Sequence, residues 1–275
     1  ATNVGDTLTL SGVISGSGYG ITKNGDGVLV LSGANTYTGT TTVSAGTLTV
    51  SGRLSDSTAV TVASGATYNV NASDTVGSIS GSGTISTTAA SGTVTLSAGN
   101  NNTSTSFTGV IQNGTNATVA LTKVGSGTLT LSGANSYTGA TNINAGTLAL
   151  SGSLSTSTNV VMSGTSVWDL QVAQTIASLT MASGNSITNT TGTSSLTVSG
   201  TSTLANSITT SGTQTYSGAV TLGADTTLNT TNSAVVFSSG VTGSGKALTV
   251  NAGSGDITMS TVGVSGTSVG AVALN

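Results

Sequence analysis

A stretch of 32 residues occurs twice in this chain at an offset of one hundred. It reads ITKNGDGVLVLSGANTYTGTTTVSAGTLTVSG over 21–52 and LTKVGSGTLTLSGANSYTGATNINAGTLALSG over 121–152, with 20 of the 32 positions identical. A sandwich or a closed barrel has no reason to reproduce so long a segment at a fixed interval. A repeat architecture does, because each unit buries its apolar face only against its neighbours.

The local pattern says which repeat architecture. Thr7-Leu8-Thr9-Leu10, Val28-Leu29-Val30-Leu31, Thr47-Leu48-Thr49-Val50, Thr93-Val94-Thr95-Leu96 and Thr128-Leu129-Thr130-Leu131 alternate at period two. That period marks a strand with one buried face, so Leu and Val are expected inside and Thr outside. No window keeps apolar residues at helical spacing. The strands are short and close on Gly-containing pairs such as Ser32-Gly33, Ala45-Gly46 and Ser132-Gly133, where glycine would supply the positive φ of a sharp turn. The expected fold is all-β: one continuous β-solenoid over 1–275, with coils of about 20 to 25 residues stacked about 4.8 Å apart, giving about a dozen coils and a rod of roughly 55 to 60 Å. After Gly52 the copies diverge but keep step, RLSDSTAVTVASGATYNV over 53–70 facing SLSTSTNVVMSGTSVWDL over 153–170; from 201 to 275 the phrasing is a variant of the same style.

Composition removes whole classes of function. Charged residues are 4% of the chain, Lys23, Arg53, Lys123 and Lys246 against seven Asp, and there is no His or Cys. The commonest general base and the thiolate nucleophile are therefore missing. Four scattered basic residues cannot neutralise a phosphate backbone, so nucleic acid is excluded as a partner. The longest aliphatic runs fall far short of the roughly 20 residues that span a bilayer, so no membrane insertion is expected of this segment. Stacked parallel coils also place like residues on one another, which punishes charge and suits Thr, Asn and small apolar side chains.

The phrase G-x-L-x-L-S-G-A-N-x-Y-T-G-x-T followed by A-G-T-L resembles the autotransporter-associated β-strand repeat of passenger regions in large bacterial adhesins. Gly27, Leu29, Leu31, Ser32, Gly33, Ala34, Asn35, Tyr37, Thr38, Gly39 and Thr41 carry it in the first copy. Gly127, Leu129, Leu131, Ser132, Gly133, Ala134, Asn135, Tyr137, Thr138, Gly139 and Thr141 carry it in the second. The resemblance implies a single right-handed parallel β-helix displayed outside a bacterial cell. No segment has the alternating strands and aromatic girdles of a membrane barrel, so a passenger fragment, a released piece or part of a large extracellular filament protein is expected.

Candidate chemistry is sparse. Asn24-Gly25-Asp26-Gly27 has the oxygens of a calcium loop, but Val124-Gly125-Ser126-Gly127 in the second copy lacks them and a plain turn accounts for both; no cofactor or metal is expected. Asp56 with Asp74, or Asp169 with Asp225, could pair as in a glycosidase, yet one Trp and two Phe leave little for a sugar platform, and no enzyme is expected. Tyr37 and Tyr137 are expected to cap the core at solenoid corners with their hydroxyls on water or backbone. Asn35 and Asn135 should close turns by side-chain bonds to backbone and tolerate left-handed geometry. Thr-x-Thr pairs at 36–38, 40–42, 47–49, 103–105, 128–130 and 213–215 place hydroxyl and methyl groups on one strand face, as ice-binding solenoids do, although Thr is the favoured exposed residue of any strand. The expected role is an extracellular structural or adhesive element at the bacterial surface, meeting like chains end to end or laterally and also a host surface or extracellular polysaccharide; ice binding is the alternative.

Overall fold

A computed structural model describes residues 3–263 and 268–275. It contains thirty strands among the described residues and no helix, and the strands pair in parallel through about 13 turns of a β-solenoid. The variant style over 201–275 includes residues 264–267, which lie outside the described residues. The chain divides into two compact units, 3–139 and 140–275.

In the first unit one stack runs through Thr7–Leu10, Val28–Leu31, Thr47–Val50, Thr67–Val70, Thr84–Ser86 and Val110–Ile111. Its register puts Leu8, Leu29, Leu48, Tyr68, Ile85 and Ile111 in one column. The steps are 21, 19, 20, 17 and 26 residues, so coil length varies more widely than the sequence suggested, the excess being taken up in the corners. A second stack contains Ile21–Lys23, Thr41–Val43, Ala59–Val62 and Ser78–Gly81, and a third Asp74–Val76, Thr93–Ala98 and Thr118–Lys123. The inward columns are fully covered: Leu31, Leu48, Val50, Val60, Val62, Val70 and Ile79 are 0% exposed. At about 1.5–3 kcal/mol for each large aliphatic side chain buried, these columns are the main source of stability.

The second unit repeats the scheme. Leu148, Trp168, Ile187, Ile208, Leu228, Val250 and Leu274 form one column. Ile176, Val198, Tyr216, Phe237 and Met259 form another, in which Tyr216 and Phe237 stack with ring centroids 5.3 Å apart. Register shifts between Leu204 and Asn206 and between Phe237 and Gly240 bend long strands from one stack into the next. Asn206 takes φ +55° there.

Three expectations need correction. Gly33 and Gly133 do not have positive φ; a Cβ on Gly33 would strike the Gly12 carbonyl oxygen of the preceding coil, and one on Gly133 that of Gly109. Glycine is required at these corners because backbones pass in contact, whereas Gly46 does turn the chain at φ +64°. The in-and-out rule also has exceptions. Val28 and Val30 face outward and are half-buried, while Thr41 faces inward at 0% exposure. Both faces of Thr7–Leu10 are exposed, this strand pairing, among the described residues, only with Val28–Leu31.

Candidate functional site

The repeat motif builds a corner. Asn35 is buried, and its Oδ1 accepts the Ile14 N–H at 3.0 Å while Nδ2 donates to the carbonyls of Gly33 at 2.9 Å and Arg53 at 3.0 Å. One side chain thus ties three successive coils, giving the Ile14 N–H its partner and adding a second donor to two carbonyls that also accept Arg53 N and Asn35 N. Asn135 repeats two of these bonds in the second copy, accepting from Ile111 N and donating to Gly133 O, both at 3.0 Å. Neither Asn is left-handed; the asparagines with positive φ are Asn102, Asn206 and Asn232. Ala34 bridges in parallel to Arg53, and Ala134 holds the equivalent place in the second copy of the motif.

Tyr37 and Tyr137 are buried at 1% and 0% exposure. The Tyr37 hydroxyl pairs with the Thr41 hydroxyl at 2.6 Å rather than with backbone, and the Tyr37 carbonyl accepts from Thr58 Oγ1 at 2.9 Å. Burial raises its pKa despite the Thr41 bond. The phenol is held inside by a threonine on the same inward face as Val43. A Cβ on Gly39 would overlap the Tyr19 carbonyl group, and one on Gly139 that of Val119.

The lysines at matching places in the two copies are also buried. Lys23 Nζ donates to the carbonyls of Asn24, Gly25 and Ala45, and Lys123 Nζ to those of Val124 at 2.6 Å and Gly125 at 2.8 Å. Burial lowers both pKa values, to about 8 for Lys123. The loop that resembled a calcium site therefore directs its carbonyls at an ammonium group, and the Asp26 side chain is exposed.

The carboxylates separate into two kinds. Asp169 is saturated by Thr190 N at 2.9 Å, Thr190 Oγ1 at 2.6 Å and Gln171 Nε2 at 2.7 Å; burial would raise its pKa, but these donors and Thr188 outweigh it and the net shift is downward. Asp225 accepts from Ala247 N at 2.9 Å. Asp56 and Asp74, in contrast, line one concavity of about 320 Å3 with Arg53, Ser73, Thr75, Thr95 and Ser97. Asp74 is 7% exposed, accepting Leu54 N at 2.9 Å and Thr75 N at 3.0 Å, and burial pushes its pKa up to about 6 against those bonds. Sequence reasoning named both carboxylates but not Arg53 beside them. The signal was present in the two copies, which carry Arg53, Asp56 and Asp74 in one and Ser153, Thr156 and Gln174 in the other.

Threonine columns exist, and some pass through the pairs at 40–42 and 47–49: Thr42 stands between Thr22 and Thr61. Thr47, Thr67 and Thr84 align outward, and Thr49 is followed by Asn69 and Ser86. The longest run, Thr180, Thr203, Thr221 and Thr242, lies in the second unit. Two positions before these stand Ser178, Thr201, Ala219 and Gly240, so the threonine array is a single column wide. The aromatic side chains Trp168, Phe107 and Phe237 are 0% exposed and offer no platform.

Residues 21–50 and 121–150 match the passenger-associated-transport-repeat family. They coincide with the corner-building motif, and they cover the residues from the buried lysine to the strand after Gly46 or Gly146. A further similarity is to the adhesin BmaC autotransporter of Brucella suis biovar 1 (strain 1330), 60% identical over 43 residues; the aligned stretch is 16% of this chain and 1% of that adhesin. No solved structure matches the chain. No helix among the described residues is long and apolar enough to cross a membrane.

Proposed function

We propose that this chain is an extracellular passenger segment of an autotransporter adhesin, a non-catalytic β-solenoid displayed at the bacterial surface as stalk, fibre element or adhesin passenger in attachment or biofilm matrix. The observation that carries this reading is how the motif is used. Asn35, Tyr37, Gly33, Gly39 and their counterparts in the second copy are spent on backbone hydrogen bonds, core filling and close coil contacts, so the repeated residues serve construction and the surface between them is free to vary.

The surface left to partners is neutral and rich in Thr, Ser and Asn. It would meet like chains or an extracellular polymer through many weak polar contacts that salt hardly screens. The test is performed in the source bacterium. Antibody to this segment should label intact cells, lose its signal on brief surface proteolysis, and mark continuous filaments or projecting rods in electron micrographs. Labelling that requires permeabilised cells would overturn the extracellular assignment, and cleavage of a polysaccharide by the purified chain would overturn the non-catalytic one.

A further inference from the structure

The chain has eleven charged residues, four basic and seven acidic, yet three of them converge on one hollow of the first unit. Arg53, Asp56 and Asp74 line the concavity of about 320 Å3 whose far wall is Thr95 and Ser97. A second hollow, also about 320 Å3, opens on the other side of Arg53 and Asp56 against Asn35 and Thr36. The walls belong to successive coils: Ala34 bridges to Arg53, Leu54 N bonds Asp74, and Thr75 pairs with Ser97. Arg53 and Asp56 therefore stand in the middle of a trough that follows the stacking direction across four coils, about 14 Å at the strand spacing.

The fold does not need these charges. At the matching corner of the second copy Gln174 Oε1 accepts Leu154 N at 3.0 Å and its Nε2 donates to Gly152 O at 3.0 Å, so a neutral amide does the structural work of Asp74. Among the described residues the Arg53 guanidinium and the Asp56 carboxylate have no hydrogen-bond or ion-pair partner within the chain. Keeping a covered carboxylate where an amide suffices opposes folding, and such sites are where binding groups are found.

The chemistry narrows the ligand. No group of three or more metal-ligating side chains occurs among the described residues, and both Asp74 oxygens already accept backbone N–H groups, which disfavours a cation. Two carboxylates to one guanidinium repel a polyanion. Hydroxyl groups suit both signs: they donate to carboxylates and accept from guanidinium, in charge-assisted bonds stronger than neutral ones. An axial trough lined in addition by Thr and Ser suits an extended chain of such groups.

We propose that this trough binds a neutral polysaccharide lying along the coils, with Asp56 and Asp74 accepting hydroxyl hydrogens and Arg53 donating to hydroxyl or ring oxygens. The proposal rests on the adhesive reading and names its ligand class.

The test uses the full chain with cellohexaose, chitohexaose and mannohexaose as probes and a hyaluronan hexasaccharide as the anionic comparator, read by saturation-transfer NMR and titration. The triple variant Arg53→Ser, Asp56→Thr, Asp74→Gln carries the residues of the second copy and is expected to fold, which circular dichroism and thermal melting check. Asp256→Asn, an exposed carboxylate in the other unit, is the charge control. At least one neutral hexaose should bind the parent and Asp256→Asn equally, and bind the triple variant at least about tenfold more weakly, the effect of losing one charged hydrogen bond. The proposal fails if no neutral hexaose binds, if the folded triple variant binds as well as the parent, or if hyaluronan binds more tightly than all three. Cell attachment separates it from the broader reading. Attachment lost on deleting the segment but intact in the triple variant sinks the trough alone. Attachment indifferent to the deletion sinks the adhesive reading, and the trough then stands or falls on the titration.

Discussion

Replacing Asn35 with Asp exchanges one amide nitrogen for oxygen and leaves volume unchanged, so it tests the corner's hydrogen bonds without opening a cavity. The asparagine is 2% exposed. The variant loses both Nδ2 bonds, to Gly33 O at 2.9 Å and Arg53 O at 3.0 Å, and sets an oxygen against those two carbonyls. Each lost bond costs about 1 kcal/mol net, since Gly33 O still accepts Arg53 N and Arg53 O still accepts Asn35 N, and the buried charge facing two carbonyls costs about 2–4 kcal/mol more. The bond from Ile14 N becomes charge-assisted and returns about 1 kcal/mol. The expected deficit at neutral pH is about 3–5 kcal/mol. Protonation restores one donor, so the new carboxyl has a folded pKa above its unfolded value of about 3.9; the deficit should shrink below about pH 4 and grow as pH rises through the folded value. Urea titrations of parent and variant at low and neutral pH measure the difference. Amide exchange at 33–37 and 53 localises it, because coils of a repeat protein need not unfold together. A variant within about 0.5 kcal/mol of the parent at neutral pH, or one with the same deficit at both pH values, would refute the reasoning.

Asp74, held up at about 6 by burial, stabilises the fold most when protonated. The parent should lose up to about 3 kcal/mol as pH rises from about 4 to about 6, less where trough water screens the charge. Asp74→Gln should flatten that slope in melting temperatures recorded against pH, and a flat parent curve would contradict the burial argument. Lys123 is held down at about 8, so the parent should gain stability from about pH 8 up to its unfolded value near 10.5. Lys123→Met should lack that gain, and should lose about 2–4 kcal/mol at neutral pH as the half-buried Val124 and Gly125 carbonyls lose their ammonium donor; equal urea midpoints would show that the ammonium is dispensable. Gly39→Ala forces a Cβ against the Tyr19 backbone and should cost about 1–3 kcal/mol. Gly12→Ala, which meets nothing within 4 Å, should stay within about 0.5 kcal/mol. A thermal shift reversed between these two would mean that the corners are less tightly stacked than the coordinates imply.

Much of this protein is legible without coordinates, because a repeat carries its long-range contacts in its own periodicity. The recurrence over 21–52 and 121–152 at a fixed offset required stacking, and alternation in segments such as Thr128–Leu131 required strands with an inner face. The near absence of charge is what in-register parallel columns demand. Other features depend on which residue lies one coil away. Coils of 17 to 26 residues in the first unit make that neighbour unpredictable by counting, so the column Thr180, Thr203, Thr221 and Thr242 could not be assembled from tripeptides. Gly33 was legible as a corner but not as a contact with Gly12, since close approach and positive φ both select glycine. Tyr37 was legible as a core residue but not as a partner of Thr41. The sequence by itself determined the architecture, through patterns that are local or strictly repeated. Tertiary structure alone decided the trough, because Asp74, Thr95 and Ser97 lie on other coils than Arg53 and Asp56 and become their neighbours only when those coils stack.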